Sequence, residues 1–387
     1  MAKSSVKLHE KFKTIERELG EIFHERTQPI NGISLAILSG TNTLFLGSPG
    51  IAKSALVNNY AKHITGGKYF WWLINRFSTP EELFGPHSME GLKNDSFRRV
   101  IEGTLADCHI GFIDEIFKAN SGVLNTLLPV LNERVFFNDR KPVELDLLTV
   151  FGASNEIPDA EDNLDALYDR FPLKYKIIPI QEPSSFKKLM MQEDLVKYSP
   201  TTVISLEEIR EAKRQADALP IPEKVHDDIT KVWAALQNAG IVVTERTFVK
   251  SKALLKSHAW LKGKKEVTSD DIEILHHACW KKEAEERKAL MTILDVISPD
   301  KFRIIQIFHE CEDIVNNIKK TKGYKKQVEH AMEANGKIRE KRKEIEKLYK
   351  NMVDRGQEID DVKELISKLD RMNSYIVEDI LNIQVSA

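Results

Sequence analysis

The sequence predicts an α/β fold in which a parallel five-stranded sheet carries helices on both faces, followed by an all-α lid and a helical, coiled-coil-like C-terminal extension. Apolar strand-like runs alternate with amphipathic helices over the first 180 residues, which is typical of parallel sheets covered on both faces. A glycine-rich turn separates the first of these runs from a helix that opens with Lys53-Ser54. Strand signals vanish after Pro183, where helical periodicity takes over.

Composition and charge narrow the class of protein. The chain has 387 residues, of which 42% are hydrophobic and 30% charged, and this length suits two or three domains with a substantial core. Its formal net charge of -2 argues against a non-specific nucleic-acid binder. The sequence shows neither a signal peptide nor a membrane span, and Cys108, Cys279 and Cys311 are too widely spaced for a disulfide framework or a zinc site. We therefore expect a soluble, cytoplasmic protein with free thiols.

The elements of the first domain follow from hydrophobic spacing. Apolar residues three and four apart predict an amphipathic helix over residues 6–24, and a second helix runs from Pro29 to about Gly40. The aromatic run 70–72 lies in an apolar strand, so we expect it to pack in the core rather than to stack on bases. The further predicted elements are a strand before Gly47, a helix over 53–63, a strand over 69–75, a hairpin over 97–105, a strand over 109–115, a helix over 121–133, a hairpin over 134–145, and strands over 147–155 and 174–178.

Two changes in character divide the chain into three predicted domains. The alternation of strands and helices ends near Pro183, and beyond Pro299 the chain becomes highly charged and helical. We therefore expect an α/β core over residues 1–183, an all-α lid over 184–298 and a C-terminal helical extension over 299–387.

The C-terminal extension carries a heptad pattern, which is typical of helices that pack along an apolar seam. Gly356 lies midway along it, so the sequence allows either one long helix or a hairpin that turns at residues 354–357. We favour packing of this seam within the chain over a coiled coil with a partner. The apolar positions are Ile338, Ile345, Met352, Ile359 and Ile366, with Leu348, Val362, Leu369 and Ile376 at the offset positions.

The turn after the first strand has the layout of a phosphate-binding loop. Its glycines let backbone N–H groups converge on an anion at the N-terminus of a helix. Lys53 would reach the outer phosphates, and the hydroxyl of Ser54 would hold a magnesium ion. Ala52 stands where the pattern G-x-x-x-x-G-K-[ST] has its second glycine. Because alanine adopts only negative φ cheaply, we expect a near-helical backbone at Ala52.

Polar residues at the ends of two later strands complete a candidate site for ATP hydrolysis. Asp114 and Glu115 end one strand, and Asn155 ends the next. In parallel sheets ligands lie at the carboxyl ends of the strands, so these side chains are expected to meet the loop. Two adjacent acids would repel each other without a cation, which favours magnesium coordination by Asp114 and activation of water by Glu115. Asn155 would contact the γ-phosphate and the attacking water.

Two arginines are candidates for balancing the charge that develops during phosphoryl transfer. Arg170 closes a helix after the predicted strand 147–155 and is a candidate arginine finger. Arg246 opens a helix in the predicted lid, from which it could fold over the phosphates.

A histidine pair in the predicted lid invites a metal interpretation. His276 and His277 are adjacent, and Cys279 follows closely. Since no matching set of ligands lies elsewhere in the sequence, we expect this pair to lie on the surface of a helix.

Together these motifs resemble the AAA+ ATPases and, within them, the MoxR family, with the closest likeness to the RavA (regulatory ATPase variant A) branch. Members of the MoxR family typically carry alanine at the second glycine position of the loop, as in Gly47–Ser54. The resemblance covers about residues 20–180 and thins through the lid to about residue 290. The other stretches that carry it are RFSTPEELFGP (76–86), FIDEIFKAN (112–120), LNTLL (124–128), LNER (131–134), ASNE (153–156) and ALYDRF (166–171).

The resemblance implies ATP and Mg²⁺ as cofactors and a homo-oligomeric ring, usually a hexamer, with nucleotide at the subunit interfaces. Arg170 would then act in trans on the ATP of a neighbour, and Arg246 would be the lid arginine. The segments near residues 100–103 and 136–140 resemble the helix-2 and pre-sensor insertions of this clade, which face the pore. The implied nucleotide-binding residues, the first two of them adenine contacts, are Gln28, Ile30, Gly47, Ser48, Pro49, Gly50, Ile51, Ala52, Lys53, Ser54, Ala55 and Asp114.

The family also implies a chaperone-like role in maturing or remodelling a protein partner, often one with a von Willebrand factor A domain. The small β-domain that the RavA branch inserts among its C-terminal helices has no counterpart here, because residues 300–387 read as helical throughout. Two other functions stay open. One is a nucleic-acid-stimulated motor, and the other is a nucleotide-switched scaffold that recruits a partner through the C-terminal helices.

Overall fold

The chain forms two compact units in a computed structural model that describes residues 2–156, 165–192, 198–321, 324–357 and 359–381. The first unit comprises residues 1–225 and 242–286, and the second comprises residues 226–241 and 287–387. The predicted three-domain division at residues 183 and 298 stays a prediction.

A five-stranded parallel sheet forms the centre of the first unit, as predicted. The strands are β1 (Thr43–Leu46), β2 (Ile64–Thr65), β3 (Tyr69–Leu73), β4 (Ile110–Asp114), β5 (Val135–Asn138), β6 (Lys141–Glu144), β7 (Thr149–Ser154), β8 (Leu173–Lys176) and β9 (Ile204–Ser205). The main sheet has the order β3-β4-β7-β1-β8, and all of its pairs are parallel. A parallel pair of β2 with β9 lies outside this sheet. Strand β9 lies beyond Pro183, where the sequence shows no strand signal, since two residues are too few to show a strand pattern.

Helices cover the sheet and make up most of the rest of the chain. Ser121–Glu133 has the predicted bounds because the side chain of Asn120 accepts hydrogen bonds from the N–H groups of Gly122 and Val123, which caps the helix start. The α-helices are α1 (Ala2–Ile22), α2 (Thr27–Ser39), α3 (Lys53–Ala61), α4 (Pro80–Phe84), α5 (Met89–Lys93), α6 (Ser121–Glu133), α7 (Asp165–Tyr168), α8 (Pro183–Met191), α9 (Leu206–Asp217), α10 (Glu223–Asn238), α11 (Glu245–Leu261), α12 (Glu283–Ile297), α13 (Pro299–Lys320), α14 (Tyr324–Asp354) and α15 (Asp360–Ser374).

The core of the first unit lies on the central strands, and one edge strand departs from it. In β1 and β7 every residue is buried, and the rings of Phe45 and Phe151 stack across the pair at 5.7 Å. On the edge strand β3, Phe70 is buried and Trp72 is half-buried, but Trp71 is 48% exposed. The expectation that the whole aromatic run packs in the core is wrong for Trp71, since alternate side chains of a strand point to opposite faces.

Two segments expected to be hairpins behave differently. Strands β5 and β6 form the second hairpin, with positive φ at both turn residues, Asp139 and Arg140, as in a type I′ turn. The hairpin predicted over residues 97–105 is wrong. Arg99 makes only an isolated bridge to His87, and its backbone N–H and C=O bond instead to the side-chain amide of Asn138, at 2.6 and 3.1 Å. That amide satisfies the backbone groups that a second strand would have paired.

The C-terminal helices of the second unit enclose their own apolar core. Helix α14 ends at Asp354, Gly356 has a left-handed φ of 66°, and α15 begins at Asp360, so the hairpin alternative is confirmed. Packing of the seam within the chain is also confirmed. The buried seam residues are Ile338, Ile345, Met352, Val362, Leu369 and Ile376, in one cluster with residues of α13 such as Ile304 and Cys311.

The cysteines agree with the expectation of free thiols. Cys108, Cys279 and Cys311 are free and buried. Across the described ranges no helix is both long and apolar enough to cross a membrane.

Candidate active site

The loop between β1 and α3 lies at the carboxyl edge of the sheet. The N–H of Gly47 donates to the carbonyl of Ser154 at the end of β7, at 3.1 Å. A Cβ at Gly47 would lie 2.2 Å from the carbonyl oxygen of Ile177, so only glycine fits against the chain that leaves β8. Gly50 turns the loop with a φ of 80°. The segment from Gly47 to Ala55 therefore forms a tight turn over the strand ends, where anions bind in parallel sheets.

Ala52 adopts the conformation that its residue type disfavours. Its φ is 66° and its ψ is 26°, so the expectation of a negative φ is wrong. Ala52 is the N-terminal cap of α3, and its carbonyl accepts the N–H of Leu56 at 3.0 Å. With Ala52 in the left-handed conformation, its carbonyl points along α3 and accepts the Leu56 N–H, although the chain reaches Ala52 from the turn at Gly50. Backbone strain of this kind persists where surrounding structure over-determines it, and it concentrates at functional sites.

A chain of hydrogen bonds joins Lys53, Asn155 and Glu115. The Nζ atom of Lys53 lies 2.9 Å from Oδ1 of Asn155, and Nδ2 of Asn155 lies 2.5 Å from Oε1 of Glu115. The lysine also donates to the carbonyls of Gly47 and Ser48. Asn155 follows β7 and Glu115 follows β4, which are neighbouring strands, so the sheet brings these side chains together.

Lys53 is a buried cation that forms no ion pair with a carboxylate of the described residues. The residue is only 7% exposed, and burial is the main cause that lowers its pKa, while the charges of Asp114 and Glu115 act in the opposite sense. Within the described ranges no carboxylate lies at ion-pair distance from its ammonium group. Because burial of a charge without a counter-ion is costly, this lysine suits an incoming anion.

Asp114 and Ser54 have the donors that magnesium prefers. Burial is the main cause that raises the pKa of Asp114, and the charge of Glu115 adds to it, against the hydrogen bond from the Glu115 N–H and the charge of Lys53. Ser54 is half-buried in the first turn of α3. A half-buried carboxylate beside a second acid fits a hard divalent cation, and a hydroxyl is a second oxygen ligand of the kind that Mg²⁺ accepts, so Asp114 and Ser54 would hold Mg²⁺.

Lys118 belongs to the site although the sequence analysis missed it. Its Nζ lies 3.2 Å from Oε2 of Glu115, so both carboxylate oxygens of Glu115 have a partner. Glu115 has a φ of 52°, and its carbonyl accepts the N–H of Lys118 at 2.8 Å in a short 3-10 turn. The signal available in the sequence was that Lys118 follows Glu115 by three residues, a spacing at which two side chains can pair within a helical turn.

The two candidate arginines lie at the opposite edge of the sheet. The carbonyl of Arg170 accepts a hydrogen bond from Asn42, which precedes β1, at 2.9 Å. The side chain of Asn42 also donates to the carbonyl of Leu131 at the end of α6, at 2.9 Å. The guanidinium of Arg246 contacts Oδ1 of Asn132, the residue that follows Leu131. The structure therefore brings Arg170 and Arg246 together at the amino edge of the sheet, and not to Lys53 of the same chain.

The remaining candidate residues occupy varied positions. Gln28 is exposed on α2, whereas Ile30 is buried with 1% exposure. Ser48, Pro49 and Gly50 form the exposed tip of the phosphate loop, and Ile51 and Ala55 are half-buried beside it.

The histidine pair is not a surface pair. His277 is 4% exposed, and its ring packs at 4.1 Å on the ring of Tyr175 in β8. Burial, followed by the neighbouring His276, lowers the pKa of His277 well below its usual range. The expectation is wrong because the 3-10 helix Ser269–His277 packs directly on the edge of the sheet. Among the residues described, no cluster of three side chains suited to a metal ion occurs.

Comparison with known sequences identifies two family regions. Residues 10–213 match the family described as the MoxR domain in the MoxR-vWA-beta-propeller ternary systems, and residues 224–294 match an AAA lid domain. The chain is similar to uncharacterized protein MJ0079 of Methanocaldococcus jannaschii, with 36% identity over 96% of this chain and 98% of the relative. It is also similar to structural protein ORF618 of Acidianus two-tailed virus, with 26% identity over 60% of this chain and 42% of that protein.

The fold also has a solved relative. The crystal structure of a "putative ATPase" from Cytophaga hutchinsonii superposes with a TM-score of 0.63 and 19% identity, over 77% of this chain and 97% of that one. This likeness concerns the fold, whereas the family match covers more than half of the sequence. The chain therefore belongs to the MoxR family of AAA+ ATPases.

Proposed function

We propose that this chain hydrolyses ATP with Mg²⁺ at the site between β1, β4 and β7. The observation that carries the proposal is the hydrogen-bond chain from Lys53 through Asn155 to Glu115, with Asp114 beside it. Lys53 and the loop N–H groups would bind the β- and γ-phosphates. Glu115 would accept the proton of the attacking water, and Asn155 would orient that water. Mg²⁺ held by Asp114 and Ser54 would supply neutralisation of the phosphate charge.

We also propose that the active form is a homo-oligomeric ring, with a hexamer as the family's usual size. Arg170 and Arg246 lie at the amino edge of the sheet, whereas the loop lies at the carboxyl edge. In a head-to-tail ring the amino edge of one copy meets the carboxyl edge of the next, so both arginines would serve the ATP of a neighbour. Such arginines stabilise charge on the transferred phosphoryl group.

Steady-state ATP hydrolysis tests this proposal. Glu115→Gln keeps the shape of the site but removes the base, and Arg170→Ala removes the trans cation, so each should lower turnover by roughly a thousandfold or more. Mixing Lys53→Ala with Arg170→Ala should restore part of the activity, because an intact loop then meets an intact arginine. Normal hydrolysis by Arg170→Ala alone, or no recovery in the mixture, would contradict the trans assignment.

The partner we propose is a protein with a von Willebrand factor A domain, together with a β-propeller protein. The support is the description of the matching family, which names both partners in ternary systems. Phe97 and Phe137, on the two inserted segments, are 64% and 56% exposed, and they suit contact with an unfolded or remodelled segment. Purified Glu115→Gln protein with ATP should bind a co-encoded von Willebrand factor A protein more tightly than it does with ADP. Equal binding in both nucleotides would contradict nucleotide-driven remodelling.

The scaffold alternative is tested separately by deleting residues 325–387. A scaffold that works through these helices would lose its partner and keep full ATPase activity. A remodelling enzyme would keep its partner through the first unit. Stimulation of hydrolysis by DNA or RNA, lost at high salt, would instead favour the nucleic-acid motor.

A further inference from the structure

Four cationic side chains converge at the amino edge of the sheet in the first unit. The guanidinium of Arg134 donates to the carbonyl of Gly40 at 2.9 Å and to that of Leu131 at 3.1 Å, which holds it at the end of α6. Arg170 is tied to the same place through Asn42, which bonds to its carbonyl and to that of Leu131. Arg246 contacts Asn132 and is the third member. Lys250 is the fourth, because Arg246, Arg170 and Arg134 all lie near enough to act on its charge.

Helix α11 presents Lys250 on the same face as Arg246. The two residues are four apart, so their side chains lie one turn apart along the helix. The hydroxyl of Thr244 caps the helix by accepting the N–H of Thr247.

These charges have no counter-ion in the described parts of the chain. No carboxylate there forms an ion pair with Arg134, Arg170, Arg246 or Lys250. The Nε atom of Arg170 is buried and has no hydrogen-bond partner. The pKa of Lys250 is lowered first by burial and then by Arg246, Arg170 and Arg134, in that order. Like charges gathered in a half-buried place repel one another and destabilise the fold. A bound anion would offset this repulsion, so the cluster is suited to bind one.

We propose that Lys250 is a third trans-acting cation, which joins Arg170 and Arg246 on the terminal phosphate of the nucleotide bound by a neighbouring copy. This assignment rests on the proposed ring ATPase. Lys250 would be a catalytic residue because its ammonium would touch the γ-phosphate. Arg134 is a positioning residue, since its guanidinium is committed to the carbonyls of Val130 and Leu131 in α6 and to that of Gly40 after α2.

The neighbour's nucleotide suits the cluster better than the nucleotide of the same chain. The cluster is tied to Asn42 before β1, whereas the loop starts at Gly47 after it, and a strand of four residues separates them by roughly 13 Å. A γ-phosphate concentrates its charge on three oxygens, which three converging cations can reach at once. An extended nucleic-acid backbone is less well matched, since the chain has a net charge of -2 and Lys250 is half-buried.

Complementation between inactive variants tests the proposal. Lys250→Ala should lower ATP turnover by roughly 10- to 100-fold, as for loss of one hydrogen bond to a charged group, and should leave ATP binding unchanged. Lys250→Arg should restore most of the turnover. Lys252→Ala, an exposed lysine on the same helix, is the matched control and should behave as wild type. Mixing Lys250→Ala with Lys53→Ala should recover activity, because the intact loop then faces an intact Lys250 of the other copy.

The outcomes separate this inference from the proposed function. If Arg170→Ala and Lys53→Ala complement each other but Lys250→Ala and Lys53→Ala do not, Lys250 does not act in trans and the inference is overturned, whereas the ring ATPase stands. If neither pair recovers, both fail. Loss of salt-sensitive DNA binding by Lys250→Ala with unchanged ATPase activity would overturn the inference in favour of a nucleic-acid site. Thermal melting of each variant, with no fall in the midpoint expected and a rise for Lys250→Ala because it relieves the repulsion, excludes misfolding as the cause.

Discussion

The side-chain amide of Asn155 lies between two charged groups, with its Nδ2 atom 2.5 Å from Oε1 of Glu115. Its Oδ1 atom accepts the ammonium of Lys53 at 2.9 Å. One amide thus connects Lys53 of the phosphate loop to the carboxylate that would activate water. A phosphate bound at Lys53 would compete for that ammonium, so Asn155 is placed to report phosphate arrival to Glu115.

Replacing Asn155 tests this coupling. We expect Asn155→Ala to hydrolyse ATP roughly 10- to 100-fold more slowly, since one hydrogen bond to each of two charged groups is lost. ATP binding should change little, because the loop and Lys53 remain. Steady-state hydrolysis and titration with a fluorescent nucleotide measure the two effects. Asn238→Ala, at an exposed asparagine, is the control. Equal losses in binding and hydrolysis would show that Asn155 only helps the phosphate loop to bind ATP.

Lys118 should restrain Glu115 rather than assist it. The ion pair at 3.2 Å is half-exposed at the lysine, so it contributes at most about 1 kcal/mol. Lys118→Ala should therefore raise ATP turnover by up to about fivefold, because Glu115 becomes freer to meet water. Lys118→Arg keeps the ion pair and should match wild type. A fall in turnover of about tenfold or more for Lys118→Ala would show instead that Lys118 supports the reaction.

The left-handed backbone of Ala52 predicts the sign of a stability change. A left-handed conformation costs an L-residue about 1–2 kcal/mol, and the greater freedom of glycine in the unfolded chain offsets about 0.4–1 kcal/mol. Ala52→Gly should therefore leave the free energy of unfolding unchanged or raise it by up to about 1.6 kcal/mol. Ala55→Gly, inside α3, should lower it by about 0.5–1 kcal/mol. Urea denaturation compares the two, and a loss of stability for Ala52→Gly would argue against a left-handed Ala52.

Lys174 should make stability depend on pH. It is 4% exposed, with its Nζ atom about 5.2 Å from the ring centre of Tyr168 and 5.4 Å from that of Trp280. Burial lowers its pKa from 10.5 to about 8, so between these values the unfolded chain holds a proton that the folded chain has lost. The free energy of unfolding should therefore rise with pH across this window, by about 3 kcal/mol in total.

Lys174→Met should remove this pH dependence. Below pH 8 the variant should be more stable than wild type, since it avoids the cost of a buried ammonium, and the difference should vanish near pH 10.5. Lys176→Met is the control. Lys176 lies on the same strand as Lys174, and the substitution removes its exposed ion pair with Glu283. Chemical denaturation at several pH values measures the slopes. Parallel curves for wild type and Lys174→Met would contradict the depressed pKa.

The C-terminal hairpin should depend on its buried seam. Ile345 is 1% exposed, and truncation to alanine leaves a cavity, so Ile345→Ala should lower the stability of the second unit by about 2–5 kcal/mol. Met332→Ala, at a 62% exposed position of α14, should cost much less. Thermal unfolding followed by circular dichroism compares them. Equal midpoints for the two variants would mean that the seam is not the core of this unit.

Features that depend on neighbouring residues could be predicted from the sequence. Apolar spacing predicted the strands of the sheet, and the cap at Asn120 marks a helix whose predicted bounds were confirmed. The chemistry of the loop and of the acids after a strand is also local, so it indicated the family later confirmed by comparison. The same local information misplaced the hairpin over residues 97–105, because the partner of Arg99 is the side chain of Asn138 from a distant segment.

The sequence by itself determined the order of strands and helices, the phosphate loop and the identity of the residues that could meet at the strand ends. Only the tertiary structure decided that Ala52 is left-handed, that Trp71 faces outwards and that Lys118 contacts Glu115. It also decided that Arg170 and Arg246 share the amino edge, where Lys250 joins them. The physical reason is that periodicity and capping act over a few residues, whereas the edge that a side chain reaches depends on which distant segments pack around it.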